Sequence, residues 1–135
     1  MEFNYTQRES DVGVLYVPTL PITINGFAIG HALVDTGADV TILPMEVNDL
    51  LALPLDTDHS IDMFSAGGGK FRAIPSVEKV QYTLDHSGFR PISWRGMVFF
   101  APRQPMILLG QFECLSQLTI TLDAPCRKMI VEGGS

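Results

Sequence analysis

The chain is poor in cysteine, in positive charge and in long apolar runs. Its two cysteines, Cys114 and Cys126, are too few for the disulfide framework of a small secreted domain. A formal net charge of −6 argues against a nucleic-acid partner, which requires a basic face. No run approaches the roughly 18 apolar residues of a membrane-spanning helix. We therefore expect a cytoplasmic protein, or a domain excised from a longer one.

The length and composition are typical of one compact domain. The chain has 135 residues, 46% of them hydrophobic, which is enough to bury a core. Nine prolines and twelve glycines interrupt it at short intervals, and this favours a β-rich fold over disorder. We expect a single domain over residues 1–135, with flexible ends at residues 1–12 and 133–135.

Short apolar runs separated by turn residues predict an all-β fold with short helices. Asn25-Gly26, between runs at residues 20–24 and 27–34, is a strong hairpin signal. Pro44 suits the first turn of a short helix. Further strands are predicted at residues 14–17, 40–43, 61–64, 70–74, 77–84, 89–100, 106–109, 118–122 and 128–131, and helical turns at residues 45–53 and 111–115.

One stretch carries the functional information. Residues 33–39 read Leu-Val-Asp-Thr-Gly-Ala-Asp, so an aspartate follows an apolar strand and opens a Thr-Gly turn. Further along, residues 107–110 read Ile-Leu-Leu-Gly and precede a predicted helical turn. Between them, residues 66–69 form the Gly-rich tip of a predicted hairpin. In their order and content, these three features resemble those of the retropepsins, the single-lobe aspartic proteases of retroviral type. The resemblance covers roughly residues 20 to 132.

The resemblance implies a closed β-barrel with one lobe per chain and a flap hairpin at the Gly-rich tip. It also implies an aspartic endopeptidase that needs neither a metal ion nor an organic cofactor. Peptide hydrolysis of this kind uses two carboxylates about 3 Å apart, which cannot both ionise and therefore share one proton. The chain has one Asp-Thr-Gly, so the resemblance implies a homodimer with a two-fold axis between two copies of Asp35.

Residue roles follow from matching positions in the motif. Asp35 would be the catalytic acid and base, and the Thr36 hydroxyl would bond across the dimer axis. Gly37 would let the backbone approach the substrate closely. Ala38 matches the retroviral residue at its position. Asp39 stands where retropepsins carry an aspartate that binds the substrate main chain.

The resemblance also predicts how a peptide or protein substrate would bind. The flap tip, with Gly67, Gly68 and Gly69, would close over an extended peptide that adds as a strand. The pocket walls would be the apolar side chains of Leu33, Ile42 and Leu108. Their character predicts hydrophobic residues on either side of the cleaved bond.

At one position the chain departs from the retroviral pattern. Retroviral members place an arginine after the apolar-apolar-Gly segment, where it pairs with the equivalent of Asp39. Here that position is Gln111, and a neutral amide cannot form a bidentate ion pair. The predicted C-terminal hairpin resembles the ends of cellular and bacterial retropepsin-like proteins, and its strands could form the dimer sheet.

Other readings of the sequence are weaker. A phosphate loop at residues 66–71 lacks the leading glycine, since Phe64 stands there, and has Phe71 in place of Ser or Thr. The acidic residues between 56 and 62 match no calcium or zinc spacing. His31 lies some 13 Å from Asp35 along a strand, too far for a second base. The remaining alternative is a catalytically silent module of the same fold that dimerises or binds peptide.

Overall fold

The structure is a computed structural model that describes residues 1–65 and 67–133. Strands predominate in it, so the predicted all-β class is confirmed. Its helical segments are short: one α-helix, α1 (Asn48–Leu51), and 3-10 turns at Met45–Val47, Thr57–His59 and Leu115–Gln117. Within these ranges, no helix has the length and apolar character needed to cross a membrane.

From residue 13 onwards the strands follow the predicted order along the chain. They are β1 (Glu2–Asn4), β2 (Thr6–Ser10), β3 (Gly13–Val17), β4 (Thr19–Ile24), β5 (Phe27–Val34), β6 (Ile42–Pro44), β7 (Ile61–Phe64), β8 (Lys70–Pro75), β9 (Val80–Leu84), β10 (Ile92–Gly96), β11 (Phe99–Ala101), β12 (Leu108–Leu109), β13 (Leu118–Asp123) and β14 (Lys128–Gly133).

Most strands belong to one large sheet. Its order is β10-β9-β4-β5-β12-β6-β11-β8-β7, and two smaller sheets have the orders β1-β14-β13 and β2-β3. The sequence predicted a closed barrel. In the described part of the chain no ladder joins β10 to β7, so the hydrogen bonding of the large sheet leaves two edges, and one of them is the flap strand β7.

The β4–β5 hairpin brings the key aspartate into place. Asn25 and Gly26 both have positive φ angles, 49° and 85°, as a tight primed turn requires. The two strands then pair along their length, with one register shift between Ile22 and Thr23. Strand β5 ends at Val34, so Asp35 stands at the end of a strand that is paired on both sides.

Strand β12 lies between the two strands that flank the aspartate loop. Leu108 pairs in parallel with Leu33 of β5 and antiparallel with Ile42 of β6. The loop of residues 35–41 therefore leaves the sheet on one side of β12 and returns on the other. The Ile-Leu-Leu-Gly segment therefore lies between the two arms of the Asp-Thr-Gly loop.

Two apolar clusters support this arrangement. The larger one fills the main core and includes the fully buried Tyr82, Phe100 and Leu109. The smaller one combines Val40 and Ile42 with residues of β8 and β11, and half-buried side chains of both flap strands pack against it. Burial of apolar surface thus ties the flap base to the strand that follows the aspartate loop.

Two regions differ from the sequence-based expectation. Residues 89–100, predicted as one strand, are divided into β10 and β11, and between these strands the Met97 amide donates to Glu113 Oε1 at 3.3 Å. Residues 1–12, expected to be flexible, include β1, paired with β14, and β2, paired with β3. Ala66, Gly134 and Ser135, which belong to the predicted flap tip and C-terminal end, lie outside the described residues.

Candidate active site

The Asp35 loop is held by its own hydrogen bonds and by those of β12. The Asp35 amide donates to the Leu109 carbonyl at 3.1 Å, and the Ala38 amide donates to the Asp35 carbonyl at 3.1 Å. The Gly37 amide donates to Asp35 Oδ1 at 3.0 Å. These bonds hold the backbone and one carboxylate oxygen of Asp35, and the residue is half-buried.

The turn after β12 holds the same loop from behind. The Gln111 amide donates to the Ala38 carbonyl at 3.0 Å, and the Phe112 amide donates to the Asp39 carbonyl at 2.8 Å. The Gly110 amide donates to Oγ1 of Thr41, a fully buried side chain, at 3.1 Å. Since buried backbone groups must be paired, these bonds leave the loop little freedom to rearrange.

Gln111 performs a different task from an arginine that pairs with Asp39. Its side-chain Nε2 donates to the Thr36 carbonyl at 3.0 Å, so the amide ties the Thr-Gly turn to the segment behind it. The departure from the retroviral pattern therefore adds a contact within the loop and leaves the Asp39 carboxylate without a guanidinium from this position.

A cleft of about 680 Å³ opens above the loop. Six of the residues predicted for the site line it: Asp35, Gly37, Ala38, Asp39, Ile42 and Leu108. Leu33 and Thr36 do not. Leu33 is half-buried and paired on both sides, with Thr19 and Leu108, and the exposed Thr36 lies beside the cleft.

The flap tip also lies outside the main cleft. The Ser65 amide donates to the Gly69 carbonyl at 2.7 Å, and the Gly68 amide donates to the Ser65 carbonyl at 2.9 Å, which closes a tight turn. Of the three flap glycines, Gly69 lines a neighbouring pocket of about 330 Å³, and none lines the main cleft. Their contact with a substrate remains a prediction that requires the flap to move.

The fold of this chain is similar to that of a solved aspartic protease. A retropepsin-like aspartic protease from Rickettsia conorii superposes with a TM-score of 0.59 at 17% identity, over 98% of each chain. EIAV protease complexed with the inhibitor HBY-793 matches with a TM-score of 0.48 at 23% identity, over 70% of this chain and 82% of the other. No protein-family model matches, and comparison with curated protein sequences gives no match.

The chain has the retropepsin-like fold.

Sequence reasoning missed the flap side of the cleft in this retropepsin-like fold. The additional lining residues come from the two flap strands, the start of the flap turn and the loop before β12: Ile61, Asp62, Met63, Phe64, Ser65, Phe71 and Gln104. The apolar members could have been found, because residues 61–64 and 70–74 were predicted as flap strands. Gln104 lies in an irregular loop between prolines and gave no signal.

Charged side chains of the flap pair with one another. Lys70 Nζ lies 3.3 Å from Asp62 Oδ2, and Arg72 Nε lies 3.7 Å from Asp62 Oδ1. Asp62 and Arg72 are direct cross-strand neighbours on β7 and β8. All three side chains are solvent-exposed, so the cluster adds little stability, but it balances the charge of one carboxylate in the cleft.

The region behind the loop includes the fully buried side chains of Tyr82 and Cys114. Burial raises the pKa of the Cys114 thiol from 9.0 to about 11, and burial also raises the pKa of Tyr82 well above its ordinary value. Lys79 pairs with Glu113, whose other oxygen binds the Met97 amide. In the described ranges, no group of three or more His, Cys, Asp or Glu side chains is arranged to hold a metal ion.

Proposed function

We propose that the protein is an aspartic endopeptidase that acts as a homodimer and hydrolyses peptide bonds between two copies of Asp35. The observation that carries this proposal is the position of Asp35 in an Asp-Thr-Gly-Ala loop, held from behind by β12 and accessible from a cleft of about 680 Å³. The likeness of the fold to solved aspartic proteases supports the same conclusion.

The chemistry needs a base and an acid in one place. One carboxylate of the pair takes a proton from a water molecule as its oxygen attacks the peptide carbonyl carbon. The protonated partner gives its proton to the carbonyl oxygen, which yields a neutral tetrahedral diol. The carboxyl that took the water proton then gives it to the nitrogen, while a diol hydroxyl gives its proton to the other carboxylate. The C–N bond breaks as the new carbonyl forms, and the pair again shares one proton.

Each chain supplies one half of this pair, so the active species is a dimer. The chain contains one Asp-Thr-Gly, and Thr36 and Gly37 beside Asp35 are exposed in the single subunit. In an isologous interface, Thr36 and Gly37 would face the same residues of the partner subunit, and the two Asp35 carboxylates would meet. In this arrangement the Thr36 hydroxyls hold the two loops in register.

The walls of the cleft favour a peptide with apolar residues beside the cleaved bond. Ile42 and Leu108 form the floor, and Met63, Phe64 and Phe71 face them from the flap strands. Phe64 is 72% exposed although it is a large apolar residue, as expected for a side chain that covers a ligand. An extended peptide can also bond to β7, an edge strand of the large sheet.

The first experiment compares the protein with two variants on a mixed peptide library, from acid to neutral pH. Asp35→Asn keeps the size of the side chain but removes the carboxylate, and we expect no cleavage from it. Asp49→Asn removes an exposed aspartate of α1 that does not line the cleft, and we expect normal cleavage. Sedimentation should show the dimer in all three samples.

A mixing experiment tests whether two subunits share the site. When the parent and Asp35→Asn are combined in equal amounts and exchange freely, about one quarter of the dimers keep both carboxylates. Activity should then fall in proportion to that fraction, whereas independent subunits would retain half. Peptide binding by all three proteins without cleavage by any of them would instead favour the silent peptide-binding module.

A further inference from the structure

The charges that line the main cleft are all negative. Its titratable lining residues in the described part of the chain are Asp35, Asp39 and Asp62, and no lysine, arginine or histidine is among the lining residues. A cleft of one charge sign with apolar walls concentrates ligands of the opposite charge. The three carboxylates are not equivalent, however, and only one of them is available to a ligand charge.

Two of the three carboxylates are already occupied. Asp62 lies within ion-pair distance of both Lys70 and Arg72, at 3.3 Å and 3.7 Å. Asp35 accepts the Gly37 amide at 3.0 Å, and the proposed reaction uses its carboxylate for the water and the shared proton. Neither of these groups is free to bind a cationic side chain of a substrate.

The backbone of Asp39 is held by a hydrogen bond, whereas its side chain is exposed to solvent. Its carbonyl accepts the Phe112 amide at 2.8 Å, so the residue cannot turn away from the cleft without breaking that bond. The side chain is exposed, and in residues 1–65 and 67–133 the structure gives its carboxylate neither an ion pair nor a hydrogen bond. Gln111, which could have donated to it, donates to the Thr36 carbonyl instead.

The surroundings of Asp39 suit a long cationic side chain. Leu108, a half-buried residue that lines the same cleft, offers an apolar surface on which an aliphatic stem can lie. A guanidinium group at the end of such a stem can bind a carboxylate through two parallel hydrogen bonds. A neutral or acidic side chain at this place would leave the Asp39 charge unmatched.

We propose that Asp39 determines specificity by selecting substrates that carry an arginine or lysine at the subsite it lines, beside the apolar residues at the cleaved bond. This inference rests on the proposed function for the class of substrate, an extended peptide. It adds a charge preference that the apolar walls alone do not give, because those walls accept any apolar residue of suitable size.

The test uses matched peptides that differ in one charge. A set of apolar peptides carries a single arginine, moved stepwise along the sequence, and a second set carries citrulline, its neutral counterpart, at the same positions. Binding is measured to the Asp35→Asn variant, so that turnover is not needed, and kcat/KM is measured with the parent. At one position, on a given side of the cleaved bond, we expect the arginine peptide to bind roughly tenfold more tightly than the citrulline peptide. This difference in affinity should shrink as salt is added.

Two further variants identify the residue responsible. In the Asp35→Asn background, Asp39→Asn should remove the advantage of arginine over citrulline, whereas Asp49→Asn should keep it. Equal binding of the two peptide sets at every position, or an advantage that survives Asp39→Asn, would overturn the inference. Selective binding without hydrolysis by the parent would overturn the proposed function and leave the inference standing.

Discussion

The backbone of Gly110 lies directly against the backbone of Val40. A Cβ atom on Gly110 would fall 2.2 Å from the Val40 carbonyl oxygen and 2.8 Å from its amide nitrogen. Val40 belongs to the Asp35 loop, and Gly110 directly follows β12. The close approach lets the Gly110 amide reach Thr41 Oγ1, so this pair of residues fixes the distance between the loop and the segment that supports it.

Gly110→Ala should therefore destabilise the fold. The added methyl group meets backbone atoms that cannot rotate away, and we expect a loss of about 3 kcal/mol in the free energy of unfolding. Urea titration followed by fluorescence of Trp94, the single and buried tryptophan, measures it. Gly67→Ala is the control, because a Cβ there meets no atom within 4 Å. Equal stability of the two variants would contradict the packing described above.

Gln111→Leu should impair catalysis more than folding. The variant keeps the backbone bond to Ala38 but loses the side-chain bond to the Thr36 carbonyl, an exposed contact whose net contribution is about 1 kcal/mol or less. We expect kcat to fall several-fold with KM nearly unchanged, since the loop is no longer held at Thr36. Gln117→Leu, an exposed change in the 3-10 turn that follows, should leave kcat unaltered. A rise in KM alone would show that Gln111 acts on substrate binding and not on loop position.

Phe64→Ala should weaken substrate binding without unfolding the protein. Phe64 is 72% exposed, so its removal should change the free energy of unfolding by less than about 0.5 kcal/mol. It lines the cleft, and loss of its apolar contact should raise KM for an apolar peptide about tenfold. Phe27→Ala is the matched control, because Phe27 is 44% exposed and lies outside the cleft. The prediction fails if both variants have the same KM.

The two cysteines should differ sharply in reactivity. Burial raises the pKa of the Cys114 thiol to about 11, whereas Cys126 is exposed, so a thiolate-selective alkylating agent at mildly alkaline pH should modify Cys126 alone. Mass spectrometry after digestion measures the sites, and denaturant should expose Cys114. Labelling of Cys114 in the native protein, at the rate of Cys126, would show that the core behind the loop opens readily.

The same thiol links stability to alkaline pH. The unfolded thiol ionises near its ordinary value of 9.0 and the folded one near 11, so the folded state holds its proton more tightly. The stability due to this difference is complete below about pH 9 and is lost as the pH rises towards 11. Cys114→Ala should flatten this part of the pH dependence of urea unfolding, although it also leaves a small cavity.

The sequence predicted the features that depend on local chemistry. Asn25-Gly26 specified the hairpin that carries Asp35, because few other residue pairs adopt two consecutive positive φ angles. The apolar Leu108-Leu109 pair before Gly110 matched a short strand that is paired on both sides. The flap strands were located by the apolar runs on either side of the glycines, and the all-β class followed from the same pattern.

The features that depend on distant partners were not predictable. Strand pairing is divided after Gly96 because the Gly96 backbone lies against Glu113. A Cβ atom on Gly96 would fall 2.2 Å from the Glu113 carbonyl oxygen, and no local sequence signal reveals that contact. The acceptor of the Gln111 side chain is 75 residues away in sequence. Leu33 reads as a pocket wall from its place two residues before Asp35, but the cleft is lined by its β12 partner Leu108 and not by Leu33 itself.

The two-residue strand β12 also sets the order in which the site can be assembled. While the ribosome is still making the chain, the hairpin that carries Asp35 emerges long before residues 107–112 exist. Until that segment arrives, the carbonyls of Ala38 and Asp39 lack the Gln111 and Phe112 amides that hold the loop from behind in the complete chain. A nascent chain that ends before this segment therefore cannot hold Asp35 in the position that it has in the complete fold.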